Sequence, residues 1–138
     1  MTKIITYLNF FGNTRDAMTF YKECLGGELT LQTVGDSPVA DQMPVELRNQ
    51  ILHSQLVKDG IVIMAADAKD ADLTIGNNIS LMLNCKSEEE IRTYFSNLSV
   101  DGKIEMPLSE QFWGSIYGML TDKFGVKWRF NYDRPKES

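Results

Sequence analysis

A single histidine, two cysteines, four prolines and no apolar stretch approaching ~20 residues set the first limits on this 138-residue chain. Without such a stretch no membrane-spanning helix is expected. Cys24 and Cys85 are too few for a disulfide scaffold and lack the paired spacing of a zinc site. Both are read as reduced core residues, since Cys24 falls on the apolar face of a predicted helix, where burial raises a thiol's pKa. Basic residues are also scarce. Fourteen Lys and Arg against 19 Asp and Glu leave a net charge of −5, which argues against a nucleic-acid or acidic-membrane partner. Met1 to Phe11 lacks the charged and apolar regions of a signal peptide, so a cytoplasmic location is expected. What is present, 43% hydrophobic and 24% charged residues, is the composition of an ordinary globular domain. A chain of this length buries roughly two-thirds of the surface its unfolded form exposes.

The order of elements repeats. Lys3–Phe11 reads as a strand, Asn13 or Thr14 caps a helix facing inward through Ala17, Phe20, Tyr21 and Cys24, and Gly26-Gly27 stops it. A second strand, Asn78–Cys85, precedes the capping box Ser87-Glu88-Glu89-Glu90 and a helix facing inward through Ile91, Tyr94, Phe95 and Leu98. All four helical positions recur at an offset of 74 residues. Each half continues with a strand, Glu28–Val34 or Lys103–Pro107, and then a hairpin. The first hairpin turns at Asp59-Gly60 and the second at Gly125. The halves are therefore two βαβββ modules, module one over about 1–67, a linker over about 68–76 and module two over about 77–133. They differ mainly in Gly35–Asn49, a polar, proline-bearing segment that is either a flap over a site or a solvated insertion.

YLNFFGN followed by AMTFYKECLGGEL, together with FWGSIYGMLTDKFGVKW, resembles the glyoxalase, bleomycin-resistance and extradiol-dioxygenase (vicinal oxygen chelate) superfamily. The likeness is to its PhnB-like branch, sometimes labelled a 3-demethylubiquinone methyltransferase domain. It implies an α+β fold of two tandem βαβββ modules whose curved mixed sheets surround a cleft, and commonly a homodimer. The methyltransferase label is not followed, because no strand, Gly-rich turn and helix of the nucleotide-binding kind is present. The resemblance also implies four metal ligands, one from the first and one from the last strand of each module. Matching helix caps and hairpin glycines puts Thr6 and Ser80, Met64 and Arg129 at those positions. None suits a divalent ion and the arginine repels one, so no metal and no cofactor are expected.

His53 is the only histidine. It is expected on the third strand beside the cleft, with Gln55 on the same face, either as a strand residue or as a polar contact or base. Gly114 and Gly118 are expected to leave a bare stripe on one strand face, with Trp113 and Tyr117 opposite. Trp128 and Phe130 are assigned to the core. Glu105, Glu110 and Asp122 are given turn and surface roles. Arg129 is expected either to anchor an anion, aided by Thr6 and Ser80 with Met64 as an apolar wall, or to meet solvent or a nearby carboxylate. The ligand-binding set is thus Thr6, His53, Gln55, Met64, Ser80, Trp113, Tyr117 and Arg129. No catalytic triad, nucleophile elbow or P-loop is present. Three functions follow: metal-independent binding of a small molecule, an anionic one included; an isomerase, lyase or dioxygenase working through His53 or displaced ligands; or a dimeric interaction protein without a ligand.

Overall fold

The structure, a computed structural model, describes residues 1–68 and 73–135 and divides into two compact units, Met1–Thr74 and Ile75–Ser138. Residues 69–72 of the expected linker lie outside the described residues. In the first unit β1 (Thr6–Phe10), α1 (Thr14–Leu25), β2 (Glu28–Thr33), β3 (Ile51–Lys58) and β4 (Ile61–Asp67) form a four-stranded sheet of order β1-β4-β3-β2. β1 runs parallel to β4 and the other pairs are antiparallel. α1 buries Ala17, Phe20, Tyr21 and Cys24 against this sheet, as its 3.6-residue period requires. Gly27 then has two reasons to be glycine. Its φ is +95°, and a Cβ there would stand 2.5 Å from the Val57 carbonyl oxygen. At the β3–β4 turn the positive φ falls on Asp59, at 48°, rather than on Gly60.

The second unit repeats the order with β5 (Leu81–Asn84), α2 (Glu88–Leu98), β6 (Lys103–Glu110), β7 (Ser115–Thr121) and β8 (Lys127–Asp133), in a sheet β5-β8-β7-β6. Half of the expected capping box forms, Ser87 Oγ accepting from the Glu90 amide at 3.1 Å, while Glu90 Oε1 accepts from the Lys86 amide, one residue before the cap, at 3.3 Å. α2 buries Ile91, Tyr94, Phe95 and Leu98, and Trp128 and Phe130 lie in the core of this unit. Asp122 belongs to the turn, accepting from the Phe124 and Val126 amides and from Trp128 Nε1. Glu105 meets Lys127 and Glu110 meets Arg134. The first strand of each module is shorter than expected, and β6 is longer. It carries Pro107 on the sheet edge where its register shifts, the place a residue without an N–H is tolerated.

One difference between the modules alters the reading of every strand face. The helices repeat at 74 residues, but Leu8 and Phe10 match Leu83 and Cys85, an offset of 75, because Phe11 and Gly12 precede the cap of α1 where Lys86 alone precedes that of α2. Carrying the helical offset back onto the strands moves the register by one residue, which turns a side chain to the other face.

Candidate functional site

In the first unit, Leu8, Phe10, Ile63, Ala65, Ser54 and Leu56 point toward α1, and the alternate residues form the helix-distal face. Tyr7 pairs with Met64 and Met64 with Gln55, placing these three side chains in one row. His53, two residues from Gln55, shares that face, as expected, and its Nδ1 lies 3.3 Å from the Tyr7 hydroxyl. Thr6 is the correction. It pairs with Ile63, on the helix side of the sheet, so it does not join Met64; Tyr7 occupies the expected position.

The segment Gly35–Asn49 folds back over the end of this face. Its neck is closed by the Val34 and Gly35 amides, which donate to Gln50 O and Arg48 O at 3.0 and 2.8 Å, and two 3₁₀ turns, Ala40–Gln42 and Val45–Leu47, shape the span between. Val39, Met43 and Leu47 from this segment, with Tyr7, Asn9 and Ala66 from the sheet, line a cavity of about 570 Å³. That volume lies within the range of small-molecule sites, roughly 300–1,000 Å³. Val34, Ile51 and Leu52 extend the apolar wall, and Gln50 and Asp67 add polar groups. Asp67 is committed: Oδ1 accepts from the Thr14 amide at 3.1 Å and Oδ2 from the Ile51 amide at 2.8 Å. Among the described residues the lining carries no Lys or Arg.

The second unit's helix-distal face carries two rows. Met82, Arg129, Met119 and Met106 pair in succession across all four strands, and Asn84, Asn131, Tyr117 and Ser109 form the adjacent row. Arg129 Nη1 donates to the Tyr117 hydroxyl at 2.6 Å and approaches Met119 Sδ at 3.6 Å. Of the expected alternatives, pairing with an Asp or Glu is not seen among the described residues, while Arg129 is partly open to solvent. Trp113 and Gly114 are corrected. They precede β7, so Trp113 does not share a strand face with Tyr117; it stands exposed in the β6–β7 loop, edge-on to Phe112. Gly118 does admit a close approach. A Cβ there would sit 2.8 Å from Leu108 Cδ2 and 3.0 Å from Phe95 Cε2, so its bare face is filled by the protein itself. Ser80 stands one residue before β5.

Two groups that the resemblance brings with it do not fit these residues. The side chains that pair where metal ligands would stand are Tyr7 with Met64 and Met82 with Arg129, offering a phenol, two thioethers and a guanidinium. Among the described residues no three His, Cys, Asp or Glu side chains converge. A methyl-donor nucleotide is served no better. α1 follows a single glycine, and its first amide is already bonded to Asp67.

Asn9, Asp67, Val39, Met43 and Leu47 were absent from the expected set. The four-residue spacing of Val39, Met43 and Leu47 is a signal the sequence carries. Asp67 has none, because its partners lie 53 and 16 residues away.

Residues 2–131 match the family model described as 3-demethylubiquinone-9 3-methyltransferase. The Escherichia coli K12 protein YjdN is 35% identical, with 91% of each chain covered. The crystal structure of protein PA1353 from Pseudomonas aeruginosa superposes with a TM-score of 0.83 at 34% identity, covering 98% of this chain and all of that one. The PhnB protein from Bacillus cereus gives 0.73 at 29% identity over 95% of this chain and 99% of its own. The fold recurs in a glyoxalase/bleomycin resistance protein/dioxygenase family enzyme from Burkholderia phytofirmans PsJN, at a TM-score of 0.63 and 14% identity over 94% of this chain and 98% of that one. With a family match over nearly its whole length, the chain belongs to the 3-demethylubiquinone-9 3-methyltransferase family, and its two βαβββ modules share the fold of the glyoxalase/bleomycin resistance protein/dioxygenase structure.

Proposed function

We propose that this chain is a cytoplasmic, homodimeric protein that binds a small molecule without a metal or cofactor. The observation that carries the reading is the cavity of about 570 Å³ roofed by Val39, Met43 and Leu47. Its wall is apolar, and few polar groups are free to orient a ligand. The Asn9 amide oxygen, the Gln50 side chain and the Tyr7 hydroxyl beside His53 are available, whereas Asp67 is spent on backbone amides. A neutral, mostly apolar ligand of ring size suits this lining. Met43 is the adaptable part of the roof, an unbranched thioether on a loop.

Native mass spectrometry tests the proposal. The purified chain should retain a small molecule or take one up from a panel of neutral apolar compounds. Met43→Trp should weaken uptake tenfold or more by narrowing the cavity under its roof while the urea midpoint holds. Equal uptake by wild type and variant would remove the cavity from the function. One tightly held Zn, Ni, Fe or Mn per chain in plasma emission analysis would overturn the metal-independent part.

A second reading is a cofactor-free isomerase or lyase with His53 as base. It draws on the contact of His53 Nδ1 with Tyr7, whose side chain lines the cavity. His53→Phe separates the two. Under this second reading turnover is lost with ligand uptake unchanged.

A further inference from the structure

β8 places two cations on the helix-distal face of the second sheet and treats them differently. Lys127 Nζ reaches across β7 to meet Glu105 Oε1 of β6 at 3.2 Å. Arg129, two residues on, has no carboxylate within ion-pairing distance among the described residues; its contacts are the Tyr117 hydroxyl and Met119 Sδ. The next carboxylate on that face of the strand is Asp133, four residues further and already bonded to Ser115 and Asn131. A half-buried guanidinium keeps its charge whatever its surroundings, and the donors that Arg129 does not use on Tyr117 and Met119 reach solvent, where an anion can take them.

The neighbours define what that anion is attached to. Tyr117 accepts from Arg129, which leaves the phenolic hydrogen free to donate. Met82 on one side of Arg129 and Met119 and Met106 on the other give it thioether flanks that pack against apolar or aromatic surface. Asn84 and Asn131 hydrogen-bond to each other at 2.9 Å in the neighbouring row. A cation with a free hydroxyl donor beside it, set in a row of three methionines, recognises a carboxylate carried on an apolar body.

We infer that Arg129 and Tyr117 form a binding site for small amphipathic carboxylic acids on the second sheet. Its residues are separate from those lining the cavity beneath Gly35–Asn49, and the inference does not depend on that cavity.

The experiment titrates the full chain, with its methionine methyls carbon-13 labelled, with benzoate, phenylacetate and hexanoate. Benzyl alcohol, hexanol and inorganic phosphate serve as comparison ligands. At least one carboxylate should shift the Met82 and Met119 methyl signals. Arg129→Met should weaken that carboxylate tenfold or more, Arg129→Lys should weaken it less, and Tyr117→Phe should weaken it several-fold. Met43→Trp should leave it unchanged, so failure of the cavity reading shows in neutral-ligand uptake and failure of this one in carboxylate binding. Should Arg129→Met not fold, the methyl shifts in wild type and the Tyr117→Phe affinity still decide. Carboxylates that leave the methyls unmoved, that bind wild type and Arg129→Met equally, or that bind no better than their alcohols would overturn the site. Binding of phosphate alone would overturn the ligand class.

Discussion

Lys127 and Arg129 share a strand face, yet Lys127 reaches past Thr121 of β7 to Glu105 on β6, whereas Arg129 meets Tyr117 and Met119 of β7 and no carboxylate among the described residues. The same holds for the cysteines. Neither forms a disulfide and both are buried, as their positions in apolar patterns indicated. Cys85 is the more informative, because burial, and secondarily the charge of Glu90, raise its thiol from the ordinary 9.0 to about 12. The native state therefore keeps the proton that the unfolded chain gives up near pH 9. Stability tied to Cys85 is complete below that pH and is lost as pH rises toward 12. Urea melts at pH 7.5 and 10.5 should show a larger loss for wild type than for Cys85→Ala. Equal losses would mean the thiol ionises in the folded protein as readily as in the unfolded one.

At the scale of elements, the two helices begin by different means. α2 is capped by its own sequence, Ser87 and Glu90, and was legible from it. α1 is not: Asn13 holds the cap position without a side-chain bond, and the first amide is met by Asp67 from the end of β4. The same carboxylate ties the start of β3 through the Ile51 amide. One side chain thus anchors α1, β3 and the floor of the cavity. Asp67→Ala leaves two part-buried amides without their acceptor, at a cost of roughly 1–3 kcal/mol each where water cannot replace it. The urea midpoint should fall with an unchanged slope, and a change below about 0.5 kcal/mol would show that solvent satisfies both amides.

For the whole molecule, the repeat of two βαβββ modules was visible in the 74-residue offset of the helical faces, and each unit holds the same strand order about its own sheet. No helix among the described residues is long and apolar enough to cross a membrane. Large apolar side chains do remain exposed, among them Phe112 at 97% and Trp113 at 58%, and surface of this kind is what association covers. Sedimentation equilibrium is expected to give twice the 15.7 kDa chain mass. A monomer at high micromolar concentration would count against the homodimer.

The sequence by itself determined the features that depend on near neighbours. Helical faces follow from a period of 3.6, the α2 start from its Ser87 cap, and the hairpin turns from Asp59-Gly60 and Gly125. Tertiary structure alone decided which side chains meet. The extra residue between β1 and α1 shifts the strand register, so Tyr7 rather than Thr6 joins Met64. Trp113 leaves the strand that carries Tyr117 because β7 begins only at Ser115. Asp67, the cavity beneath Val39, Met43 and Leu47, and the placing of Arg129 between Met82 and Met119 arise from strands and loops distant along the chain. A local pattern specifies a face only to within one residue, and in a sheet one residue is the difference between its two sides.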